Sequence, residues 1–130
     1  MSYGMMFKNG SDVVVIDSEF SRLTTLDKGA WNGTGAGVVV NFAKTITTDE
    51  PPLVFVRPDQ SNVFCFCLVR GSAGAWTGFS FVGVVGQATS GKWFAAAFKS
   101  EPTASFGFRL WDGSGKLLFD NGTPCAQFTR

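Results

Sequence analysis

The sequence predicts an all-β chain, a single antiparallel β-sandwich or jelly-roll-like domain with similar hairpins near both termini. Three observations predict it. Phe (14 residues) and Gly (16 residues) are abundant, which joins residues suited to half-buried pleated surfaces with residues suited to turns. Short apolar runs alternate with Gly, Pro, Asn and Asp breaks along the whole length. A segment near the start recurs near the end without a gap. At 130 residues the chain fits one domain, 1–130, and no linker or low-complexity stretch divides it.

The repeat matches Tyr3–Ser18 to Phe106–Asn121. Its shared pattern is aromatic, Gly, a short strand, Asn/Asp-Gly-Ser, a second apolar strand and a closing Asp. Each copy reads as a β-hairpin. Asn9-Gly10 and Asp112-Gly113 are two-residue turn signals, because a type I′ turn needs positive φ at both central positions. On that reading Asn9, Gly10, Asp112 and Gly113 are the turn-critical residues, and Gly113→Val is expected to do more harm than Gly74→Val. The two hairpins are expected to lie near each other. Asp17 and Asp120 close their strands, where Asn would serve nearly as well.

Between the copies, Phe20–Leu26 alternates as a strand and Asn32-Gly33-Thr34-Gly35 reads as a turn. Gly37–Phe42 is the next strand, and Asp49-Glu50-Pro51-Pro52 breaks the pattern because proline donates nothing to a ladder. Leu53–Arg57 follows. Val63–Arg70 is apolar on both faces and reads as central. Trp76–Val85 and Lys92–Lys99 form the last pair before the second hairpin, joined by Gly86–Gly91.

Composition narrows the function. Net charge is +1 with no basic block, which argues against nucleic-acid binding. The apolar runs are too short to insert in a membrane, and the first residues carry no signal-peptide pattern. Cys65, Cys67 and Cys125 are an odd set, read as free and mostly buried thiols. No His is present, so a His-dependent triad or Cys–His nucleophile is excluded, and neither a metal site nor a cofactor site is expected. Asp17, Glu19, Asp112 and Asp120 are the carboxylates to weigh for glycan hydrolysis, and turn or strand-end roles account for them better. The chain reads as a non-enzyme with no catalytic residues. Trp76 and Trp93 sit in apolar strands and read as core. Trp31, between Gly29 and Gly33, and Trp111, beside Asp112-Gly113, read as exposed, with protein interface and ligand contact both open.

The ordered set Tyr3-Gly4…Asn9-Gly10…Val15-Ile16-Asp17-Ser18, Glu50-Pro51-Pro52-Leu53-Val54-Phe55-Val56-Arg57-Pro58 and Phe106-Gly107…Asp112-Gly113-Ser114-Gly115…Leu118-Phe119-Asp120 resembles a family of small bacteriophage and prophage proteins encoded among tail and tail-fibre genes. Asn121 departs from that pattern, which leads one to expect Ser. The resemblance implies a virion protein of the tail, near its tip or fibres, assembled in the host cytoplasm. Its expected partners are other tail proteins and further copies of itself. A host-surface glycan is the alternative partner, and a small glycan hydrolase is the remaining rival.

Overall fold

Ten strands and no helix make up the described part of the chain, which in the computed structural model comprises residues 5–12, 14–17, 21–34, 37–59, 64–83, 88–103 and 105–126. The strands are β1 (Met6–Lys8), β2 (Val14–Asp17), β3 (Thr24–Thr34), β4 (Val38–Ile46), β5 (Leu53–Pro58), β6 (Phe64–Ser72), β7 (Ala75–Gly83), β8 (Ala88–Ala97), β9 (Arg109–Trp111) and β10 (Leu117–Asp120). Contacts divide them into two units. A contiguous unit spans Thr25–Ala97, and a terminal unit joins Met1–Thr24 to Phe98–Arg130. Both boundaries fall at strand ends, where composition does not change.

The contiguous unit is a sandwich of two three-stranded sheets, ordered β3-β8-β5 and β4-β7-β6. The β5–β8, β4–β7 and β6–β7 pairs are antiparallel. Period-two alternation sends Val38 and Phe42 of β4 inward, with Phe79 and Phe81 of β7. Trp31 from β3 and Trp93 from β8 meet them from the facing sheet. Trp31 lies edge-on to Phe81 with centroids 5.3 Å apart, and Trp93 edge-on to Phe79 at 5.3 Å. Aromatic edges therefore interlock the two layers in a favoured geometry.

This packing overturns the expectation for Trp31, which is 4% exposed and so is not available as a ligand or interface contact. The flanking glycines suggested a turn, but β3 runs straight through them. A Cβ on Gly29 would stand 3.0 Å from the Trp93 indole nitrogen, and one on Gly91 would collide with the Trp31 ring. Two strand glycines are thus the space into which two tryptophans fit. Trp93 is buried as expected, and Trp76 is partly buried with its indole N–H donating to Thr48 O at 2.8 Å.

One sheet edge departs from the sequence reading, and another is blunted by proline. β6, expected to be central, is the outer strand beside β7, and Leu68 on it is exposed. Its two apolar faces do not imply two covered faces. On β5, Asp59 N–H bonds Ser90 O at 3.0 Å, continuing the unshifted β5–β8 register. Odd-numbered residues therefore face β8, and the outward-facing groups belong to Val54, Val56, Pro58 and the preceding Pro52. Two of those four positions lack an N–H, which blunts this edge against strand addition.

Phe79 has no exposed surface and Phe106 is 92% exposed. Phe79→Ala is expected to cost about 3–5 kcal/mol, and Phe106→Ala about 0.5 kcal/mol or less. Chemical denaturation of the two variants checks both. Equal stability would contradict the core assignment.

Candidate functional site

The terminal unit is built on the two repeated hairpins, and the repeat holds in three dimensions. In the first, Met6 pairs with Asp17, Phe7 with Ile16 and Lys8 with Val14. In the second, Arg109 pairs with Asp120, Leu110 with Phe119 and Trp111 with Leu117. Each pair of one copy aligns with a pair of the other, and the register slips in the corresponding place in both.

The turns also correspond, but by a different device from the one expected. The left-handed residues are Asp12 (φ 61°) and Gly115 (φ 84°), and neither Gly10 nor Gly113 has positive φ. In the first turn Asn9 O accepts from Asp12 N–H at 3.0 Å and Asn9 Oδ1 from Ser11 N–H at 3.0 Å. In the second, Asp112 O accepts from Gly115 N–H at 3.1 Å. Asp112 Oδ1 accepts from Ser114 N–H at 2.9 Å, Ser114 Oγ at 2.7 Å and Lys116 N–H at 2.9 Å. Asn9 and Asp112 thus organise the turns through their side chains. The Ser114 hydroxyl, followed by the Lys116 amide, holds the Asp112 carboxyl below its usual range. Gly10 and Gly113 face open space, so their expected sensitivity moves to Asp12 and Gly115.

The second hairpin closes on a buried carboxylate. Asp120 is 4% exposed and accepts from Thr103 Oγ1 at 2.6 Å, Arg109 Nε at 2.7 Å and Gly122 N–H at 3.2 Å. Thr123 Oγ1 lies 3.3 Å away while donating to Glu101 O at 2.7 Å. The Thr103 hydroxyl first, and the Arg109 guanidinium second, hold this carboxyl far below the ordinary carboxylate value. An amide cannot reproduce a buried, ion-paired carboxylate, so the expectation that Asn would serve at Asp120 does not fit this setting. Sequence reasoning missed Thr103, Arg109 and Thr123. The legible signal was Arg109 standing where the first copy has Met6, directly across from the closing Asp. The Asp17 side chain, Glu19 and the Cys65 side chain lie outside the described residues.

Further contacts close the unit. Ser100 Oγ donates to Leu118 O at 2.7 Å, and Ala126 N–H to Leu23 O at 2.9 Å. Arg22 lies over the Phe119 ring, 5.6 Å from its centroid, and reaches Cys125 Sγ at 3.7 Å. Cys67, in the contiguous unit, is exposed rather than buried, because its edge strand leaves the thiol uncovered on one side. Desolvation nonetheless pushes its thiol pKa up.

The hairpins carry an apolar surface. Phe7 meets Phe108 edge to face with centroids 6.0 Å apart, so the two copies do lie together. Met5, Met6, Phe7, Phe106, Phe108 and Trp111 all remain exposed, Phe106 at 92% and Trp111 at 52%. Of the two tryptophans read as exposed from the sequence, Trp111 keeps that exposure and Trp31 does not. Among the described residues no group of three metal-ligating side chains occurs. Comparison with protein-family models, curated proteins and solved structures gives no match.

Two outcomes follow for this unit. Gly115→Val forces a branched residue into left-handed backbone and is expected to cost about 1–2 kcal/mol or more, whereas Gly113→Val is expected to be mild. Denaturation midpoints of the two variants decide it, and equal losses would contradict the turn assignment. The depressed Asp120 pKa contributes stability that is complete above the unfolded value near 3.8 and is lost as pH falls below it toward the folded value. The denaturation midpoint of the parent chain is expected to fall as pH drops through that acid window. In an Asp120→Asn background this pH dependence is expected to shrink, and an unchanged dependence would contradict the role given to Asp120.

Proposed function

We propose that the protein is a structural component of a bacteriophage tail, near the tip or fibres, that works through protein–protein contacts made by its terminal hairpins. The exposed Met and Phe side chains of those hairpins are the observation that carries the reading. A soluble chain keeps large aromatic and Met side chains in water at a cost, and their grouping on one pair of elements fits a surface that becomes covered on assembly. The ordered sequence motifs supply the tail context. Repeated copies around a tail axis would give each hairpin pair an equivalent neighbour. No catalysis is assigned to the chain.

The half-exposed Trp111 favours a second reading, a glycan-binding adhesion module, because an indole face stacks on the apolar face of a sugar. The two readings separate experimentally. Phe106→Ser is expected to fold normally and to lower incorporation into purified particles, normalised to soluble protein. Cross-linking in intact particles is expected to join the hairpins to tail proteins. Full incorporation of Phe106→Ser, with loss of glycan binding in Trp111→Ala, would replace assembly with adhesion. Absence of the protein from particles would remove the tail reading.

A further inference from the structure

We infer that Asn9 is a site of spontaneous backbone-assisted deamidation, and that it reacts ahead of the other two Asn-Gly pairs of the chain, Asn32-Gly33 and Asn121-Gly122. The reaction needs a glycine nitrogen that can reach the preceding side-chain carbon, and only glycine leaves that nitrogen unshielded by a Cβ. All three pairs meet the sequence requirement. Their surroundings differ.

Asn121 is held on several sides. Its Oδ1 accepts from Phe108 N–H at 3.1 Å, its own N–H donates to Phe108 O at 3.1 Å, and the Gly122 N–H is engaged by Asp120 at 3.2 Å. The buried, ionised Asp120 also opposes loss of a proton from that amide. Asn32 lies within β3, where rotating its backbone would break a strand of the sandwich. Asn9 sits at an exposed hairpin tip. Its carboxamide is tied to Ser11 N–H next door, a side chain on Gly10 would meet nothing within 4 Å, and among the described residues no acceptor holds the Gly10 N–H. Reaching the Gly10 nitrogen requires Asn9 to turn away from the Ser11 and Asp12 amides, which opens one exposed turn with clear space beside Gly10 rather than a strand or a buried network.

The step balances without an oxidant or reductant. The Gly10 nitrogen loses its proton and bonds to Asn9 Cγ. The bond from Cγ to the side-chain nitrogen breaks, ammonia leaves with that proton, and a cyclic imide forms. Water then opens the ring at Cγ to give Asp, or at the main-chain carbonyl to give isoaspartate. The second hairpin shows what the Asp product does, since Asp112 already occupies this position and accepts three hydrogen bonds from Ser114 and Lys116. Asp at position 9 therefore suits the turn. Isoaspartate adds a backbone methylene inside it and breaks the shared register. The chemistry acts as a clock on one of the two hairpins.

The test is prolonged incubation of the full chain at neutral and mildly alkaline pH, followed by peptide mapping with mass spectrometry. The Asn9 peptide is expected to convert first, faster at higher pH, and to split into two acidic products. Peptides containing Asn32 and Asn121 are expected to lag. Gly10→Ala, whose backbone and space accept the methyl group, is expected to lose most of the conversion while staying folded. Asn9→Asp is expected to keep the parent's thermal midpoint. Conversion of Asn32 or Asn121 as fast as Asn9, or no conversion of Asn9 while the denatured chain converts, overturns the inference. A lowered midpoint in Asn9→Asp overturns the fit of the Asp product to the turn.

Discussion

Asp120 is the group on which the terminal unit depends. A carboxylate taken out of water needs a cation and hydrogen bonds around it, and here each comes from a different part of the chain. Arg109 reaches it across the hairpin, Thr103 from the segment before the hairpin, and Gly122 and Thr123 from the turn after it. One charge thereby fixes a connecting segment, a hairpin and a C-terminal turn. Ser100, donating to Leu118 O, adds a further tie to the same strand.

Such a network explains how the unit tolerates so much apolar surface outside. Among its described residues the buried side chains are Thr24, Ser100, Asp120 and Thr123 beside Leu118, while Met and Phe side chains of the hairpins remain in solvent. The contiguous unit has aromatic side chains interlocked inside and prolines spaced along one sheet edge.

The hairpins were legible because the repeat is gapless and covers both strands, so the shared register followed from the residues themselves. The turn geometry was not, because Asn-Gly and Asp-Gly serve equally as the centre of a primed turn and as the first two positions of a turn ending in a left-handed residue. The distinguishing residues stand two places further on, at Asp12 and Gly115, both tolerant of positive φ. Trp31 was misplaced for a related reason. Glycine marks turns and also marks places where a ring packs against backbone, and only the facing strand tells the two apart. The Asp120 network was legible only in part, since Arg109 departs from the repeat while Thr103 and Thr123 approach through folding.

Arg109 compensates a buried charge rather than decorating a surface. A double-mutant cycle tests it most directly, using Arg109→Met, the residue of the first copy, and Asp120→Asn, with stability measured near neutral pH. Arg109→Met alone is expected to be the most damaging of the three, because it strands the carboxylate, and adding Asp120→Asn is expected to restore part of the loss. Additive effects, with the double variant weaker than either single one by their sum, would contradict it.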